Sequence, residues 1–353
     1  MGRLSKWFGP PIASYPVQNL QNIPQRSPSG RRTAHAVALV LLVVGIGIFL
    51  VMVRDVSLGD LCRVANQVDV GILAVAVVAG LAMTGLRTIR FYRFFPAPGR
   101  RLELYASFAM FRFLNFVLPF RSGEITFLAL LSKFKFTGSI AGIAPVWILL
   151  RVTDLLALSL LFFCANSLVP LTQHFDVLQW GLIGLSTVLL AGVLMFSAWM
   201  VRANPTFSDT WLGRHARAAH AGFTRLDGWR PCLYSLFLGC LIWGTMAVLN
   251  TLMQMAFGSP LTVAQCAAVG VAAAAVSILP IHGPFAVGTS DVSWAGLMVL
   301  AGMPAGQAIA TTLCVRLGLV SIILLDGTIG IVILWLCGCR QGKPDEPRLR
   351  EPQ

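Results

Sequence analysis

Between residues 34 and 337 the sequence is a succession of apolar runs, several of them about 20 residues long. That length constrains the fold more than any other feature, because a helix of about 20 apolar residues crosses roughly 30 Å of hydrocarbon. With 56% hydrophobic and only 12% charged residues, the chain reads as an all-α polytopic membrane helix bundle.

The formal net charge of +13 raises the alternative of nucleic acid as a partner, and the placement of the charges decides against it. Of the 27 Lys and Arg residues, five precede residue 33, five fall in 87–101, two in 133–135, five in 202–230 and four after 339. Two more lie in 54–63 and four inside apolar runs. Loops therefore alternate between basic and nearly free of Lys and Arg, the pattern of a membrane protein with its basic loops inside and both termini cytoplasmic.

Taken in order, residues 1–32 carry five prolines, five basic residues and no acid, and are expected to form a disordered cytoplasmic tail. The transmembrane domain is expected over 33–338. A first spanning helix, 34–53, is too long and too far from the N-terminus for a cleaved signal peptide. It leads to a mixed-charge outer loop, 54–69, and a second helix over about 70–86 ends in a basic inner loop holding Arg87, Arg90 and Arg93. Further spanning helices are expected at 140–168, 178–201, 233–257 and 305–337, six in all, with an inner loop at 202–231 too short and irregular to be an independent domain. A second disordered tail occupies 339–353.

Two segments break this pattern. Asn115-Phe-Val-Leu-Pro-Phe-Arg-Ser-Gly-Glu124 places Pro119, Arg121, Gly123 and Glu124 in the middle of apolar sequence. Its flanks, roughly 102–118 and 125–132, are each too short to span a bilayer, and both outer ends are basic. A re-entrant helical hairpin over about 102–132, dipping from the cytoplasmic side, fits; two full crossings meeting at a kink remain the alternative. The second segment, about 264–302, breaks at Pro280, His282, Gly283, Gly288 and Asp291, carries no basic residue at either end, and is expected to dip from the outer side. Arg151 follows Glu124 by 27 residues and Arg316 follows Asp291 by 25. Paired broken segments entering from opposite faces are the mark of an inverted repeat, whose interface is where transporters hold their substrate.

Inside the apolar runs Arg112, Arg121, Arg151 and Arg316 balance Glu124, Asp154, Asp291 and Asp326. Charges at membrane depth must pair or reach water, so structural ion pairs and a polar site are both open readings. Arg121 and Glu124 favour function because they sit on the broken backbone, where free amide N–H groups add to an anion site. Glu124 and Asp291 are alternatively proton carriers. Asn115 and Ser122 either cap helix ends or touch a ligand. No cofactor is called for. His282 has no second ligand at a useful spacing, so no metal site is expected. The scattered cysteines argue for no disulfide.

The pattern Asn115-x-x-Leu-Pro119-x-Arg121-x-Gly123-Glu124, then Arg151-x-x-Asp154, then Leu279-Pro280-Ile-x-Gly283 leading to Gly288-Thr289-x-Asp291-x-x-Trp294-Ala-Gly296, resembles the lysylphosphatidylglycerol synthase transmembrane region family over roughly residues 35–338. Two departures stand out: Asp291 occupies a position where that family usually has glutamate, and no aminoacyl-transferase domain follows. The resemblance implies a flippase-like lipid transporter of the bacterial inner membrane rather than an enzyme, with Asn115, Arg121, Glu124, Arg151, Asp154, Asp291 and Arg316 as substrate-binding residues. Its partner would be a membrane lipid (a phospholipid, a hopanoid or a polyprenyl-linked glycolipid), with a pathway enzyme in the membrane as a possible second one. An accessory membrane subunit and a headgroup-modifying enzyme acting through Glu124 or Asp154 are the alternatives.

Overall fold

The computed structural model describes residues 58–96, 98–118, 123–133, 140–169, 175–203, 211–224, 229–278 and 288–341, together with positions 43, 47, 50, 54, 136 and 226. Eleven helices and no strands are found among the described residues. They are α1 (Leu58–Asn66), α2 (Val70–Tyr92), α3 (Arg101–Val117), α4 (Gly123–Lys133), α5 (Ile140–Leu168), α6 (Phe175–Ala203), α7 (Trp211–Thr224), α8 (Trp229–Ala256), α9 (Val263–Ile278), α10 (Thr289–Leu300) and α11 (Ala305–Gln341). Five of them, α2, α5, α6, α8 and α11, are long and apolar enough to cross a membrane. The chain is a polytopic helical membrane protein. The expected first span lies largely outside the described residues, of which positions 43, 47 and 50 are helical.

Local sequence explains where these helices start and stop. Asp69 caps α2, its carboxylate accepting a hydrogen bond from the Ile72 N–H at 3.0 Å. Thr262 and Gln265 form a reciprocal capping box at the start of α9. At the end of α10 the Met303 N–H reaches Met298 O and the Gly302 N–H reaches Val299 O, a Schellman turn that requires the left-handed backbone Gly302 adopts at φ 100°. The same turn closes α8 at Gly258.

Two segments differ from expectation. The segment 54–69, expected as an outer loop, contains α1, which packs on α11 with Val64 buried. The segment 202–231, expected as an inner loop, contains α7, which lies against α5 so closely that a Cβ on Gly222 would meet Gly142 O at 2.6 Å. Each short helix is amphipathic and hides its apolar face on a spanning helix.

The halves α2–α5 and α8–α11 repeat one plan with opposite direction. The first members, α2 and α8, run antiparallel: the Asp69 N–H donates to Ala256 O at one end, and Arg90 contacts Ser235 near the other. In each half two short helices then form an antiparallel hairpin. In α3/α4, a Cβ on Gly123 would touch Asn115 while the ring centroid of Phe127 lies 4.7 Å from that of Phe108, so the helices run in opposite directions. In α9/α10, Gln265 donates to Ala301 O, joining the two open ends. Each half's last helix packs on the other half's hairpin, α11 on α3 and α5 on α9. Small residues allow this: a Cβ on Gly327 or Gly330 of α11 would lie 3.2 Å from Phe113 or 2.9 Å from Ala109. An aromatic cluster, Phe91, Phe108, Phe111, Phe127 and Trp147, locks the first hairpin to α2 and α5.

Candidate functional site

The first hairpin is closed at its tip by contact between backbones. At Gly123 an added Cβ would fall 2.5 Å from the Asn115 nitrogen and 2.6 Å from its Cα, neither of which can move aside as a flexible side chain would. Gly123→Ala is therefore expected to destabilise the protein by about 1–3 kcal/mol, read as a lower melting temperature of the purified protein. The tight tip brings Glu124, in the first turn of α4, to the side of α5.

There Arg151 grips Glu124 with two nitrogens: Nη2 lies 2.9 Å from Oε1, and Nε donates to Oε2 at 3.3 Å. Trp147, one helical turn earlier on α5, donates its indole N–H to Glu124 Oε2 at 3.0 Å, and its ring lies 4.5 Å under the Arg151 guanidinium. The third nitrogen of Arg151 reaches Asp154 Oδ2 at 3.3 Å.

The other carboxylate oxygen of Asp154 belongs to Arg90. This arginine is 3% exposed and also donates to Leu150 O, Thr153 and Ser235. Arg90, Asp154, Arg151 and Glu124 thus form a chain of alternating charges running outward from the core. Its inner end is sealed, whereas the Arg151 and Glu124 side chains keep 30% and 21% of their surface exposed.

The second hairpin repeats the arrangement. Asp291, in the first turn of α10, accepts from the Gly288 N–H at 3.0 Å and is paired with Arg316 of α11. Here the acid is closed in, its side chain 2% exposed. Beside it lies a cavity of about 200 Å³ to which both hairpins contribute, Phe116 from the first and Ser290, Asp291 and Trp294 from the second. Arg316, Leu319 and Ile323 supply the α11 wall.

The remaining buried pair is a structural tie. Asp326, fully buried, accepts from Thr84 at 2.6 Å and Tyr105 at 3.1 Å and pairs with Arg112 at 3.4 Å, joining α2, α3 and α11.

Of the seven residues expected to bind substrate, Glu124, Arg151 and Asp154 come together, and Asp291 and Arg316 form a second group on the cavity wall. Asn115 adjoins Phe116 at the first tip, and its Oδ1 is buried with no hydrogen-bond partner among the described residues. Arg121 lies outside the described residues, as do Pro119, Ser122, Pro280, His282 and Gly283. No cluster of metal-binding side chains occurs among the described residues.

Two participants, Arg90 and Trp147, escape a reading of charge alone. The basic inner loop expected to hold Arg90 begins later than residue 87, because α2 continues to Tyr92. Ile89, Phe91 and Tyr92 around Arg90 were the available signal that the helix goes on. For Trp147 the signal was its position four residues before Arg151.

A family model described as the lysylphosphatidylglycerol synthase TM region matches residues 36–327. The chain belongs to this family. The matched span takes in both hairpins, all seven candidate residues and Asp326. It identifies the chain as a membrane domain of a lipid-related family. No curated protein and no solved structure matches the chain.

Proposed function

We propose that this protein binds a polar-headgroup membrane lipid and moves it across the bacterial inner membrane, between two re-entrant hairpins that enter from opposite faces, with both chain termini cytoplasmic. The observation that carries this reading is the shared cavity: Phe116 of one hairpin and Asp291 of the other border the same space. The helices fit the re-entrant geometry. At 1.5 Å per residue, α3 and α10, of 17 and 12 residues, are about 26 and 18 Å long, short of a bilayer's hydrocarbon.

In this reading the headgroup phosphate meets Arg151, whose fork suits phosphate and carboxylate alike and which exchanges Glu124 for the ligand. Arg121, three positions before Glu124 in the sequence, is proposed as a second cation for the same headgroup. Asp291 and Arg316 are the corresponding ion pair of the second half, engaged with each other on the cavity wall. The protein works as a transporter rather than an enzyme, so conversion of a lipid by the purified protein contradicts the reading.

Purified protein in liposomes carrying fluorescent phosphatidylglycerol, phosphatidylethanolamine or a polyprenyl-phosphate sugar is expected to make at least one of them accessible to an external quencher faster than empty liposomes do. Rates equal to empty liposomes for all three headgroups contradict it. A second reading, a non-catalytic accessory subunit of a glycolipid or hopanoid pathway, draws support from the saturation of Asp154 and Asp326 by neighbouring donors. It predicts that neutralising Arg151 leaves the biological role intact.

A further inference from the structure

The cavity between the hairpins suits hydrocarbon better than a headgroup. Nine of its 14 lining residues are apolar, among them Phe116, Ala273, Ala274, Trp294, Leu319 and Ile323, against the polar Asn250, Ser290 and Thr312 and the charged Asp291 and Arg316. The charged members of that wall are engaged: Asp291 holds the Gly288 N–H and Arg316. A phosphate or sugar placed there would exchange water for a surface returning few hydrogen bonds, whereas methylene groups gain by leaving water or solvating lipid alike. At about 200 Å³ the cavity exceeds the apolar cavity of about 150 Å³ that takes up benzene in an engineered protein.

Its position also favours a chain. Phe116, Leu319 and Ile323 are half-buried, and Leu324 and Leu325 beside them on α11 are 48% and 42% exposed. The cavity therefore borders the apolar outer face of a spanning helix, the face that meets lipid tails. Polar capacity lies elsewhere, at Arg151 and Glu124 with their partly exposed side chains and the indole of Trp147.

We infer that the cavity receives a hydrocarbon segment of the lipid while its headgroup is held at Arg151 and Glu124, an inference that rests on the lipid-transport reading for the identity of the occupant. The two hairpins then divide the work, the first reading the headgroup and the second the tail.

The test uses the full chain in phosphatidylethanolamine and phosphatidylglycerol liposomes doped with phosphatidylglycerol carrying a photoactivatable diazirine, either near the end of an acyl chain or on the headgroup. After irradiation, labelled peptides are mapped by mass spectrometry. The chain probe is expected on peptides containing Ala273 and Trp294, and the headgroup probe on the peptide containing Trp147. Ala274→Phe, which fills the cavity, is expected to lower chain labelling there at least about tenfold and to leave headgroup labelling at Trp147 unchanged. Chain labelling confined to outward residues such as Leu324 and Val332, or headgroup labelling at Trp294, overturns the inference. Should Ala274→Phe fail to fold, the labelling pattern of the unaltered protein decides alone. Chain labelling at Trp294 in protein that moves no lipid leaves the cavity assignment standing and overturns transport, so the two failures are distinguishable.

Discussion

Replacing Arg90 by Met is expected to cost the protein about 3–5 kcal/mol and to reduce or abolish the yield of monodisperse material. The side chain is buried to 3% exposure and donates to one carboxylate, one backbone carbonyl and two hydroxyls drawn from α5 and α8. Its loss leaves the charge of Asp154 with only the longer contact to Arg151, while Thr153, Ser235 and Leu150 O keep one another as partners. A methionine fills much of the volume, so the expected loss is electrostatic and not one of packing. Arg90→Met combined with Asp154→Leu removes both charges and is expected to recover most of the stability, because an apolar pair of similar volume often replaces a buried ion pair at little cost. Size-exclusion profiles and thermal unfolding of the single and double variants check this. A single variant as stable as the unaltered protein would show that the Arg90 network does not hold the bundle.

Arg151→Gln is expected to behave in the opposite way, sparing the fold and removing function. Its side chain is 30% exposed, it lies over Trp147, and Glu124 keeps the indole N–H as a partner when the guanidinium goes. An arginine that binds phosphate through two nitrogens contributes about 1.5–3 kcal/mol, so lipid movement is expected to slow by about ten- to a hundredfold. Arg151→Lys keeps the charge and loses the fork, and is expected to fall between the two. The same liposome assay with thermal unfolding measures both effects. Normal transport by a folded Arg151→Gln protein removes the headgroup site from this hairpin and favours the accessory-subunit reading.

The contrast between these two arginines shows what was legible in the sequence. Helix positions were legible because apolar run lengths dictate them: the runs expected at 140–168 and 305–337 correspond to α5 and α11. The breaks between α3 and α4 and between α9 and α10 were legible because Pro119 and Pro280 interrupt short apolar runs. The similar spacing of Glu124 to Arg151 and of Asp291 to Arg316 marked two related halves, but that each acid pairs with the arginine following it shows only in the structure. Partner choice across the bundle was not legible. Nothing local to Asp154 reveals that Arg90, 64 positions earlier, takes one of its oxygens in a closer contact than Arg151 makes with the other, because that depends on how α2 and α5 pack. The apolar character of the cavity was hidden for the same reason, since its wall is assembled from α3, α8, α9, α10 and α11.

The central claim, that lipid passes between the two hairpins, is tested most directly by tying the hairpins together. In a chain whose eight native cysteines are replaced, Phe116→Cys and Ser290→Cys place one thiol on each hairpin at the shared cavity. A short bifunctional thiol reagent is expected to join them within one protein molecule and to stop lipid movement in liposomes, while either single-cysteine variant treated with the same reagent continues. Cross-linked protein that still moves lipid at the uncross-linked rate would contradict the account.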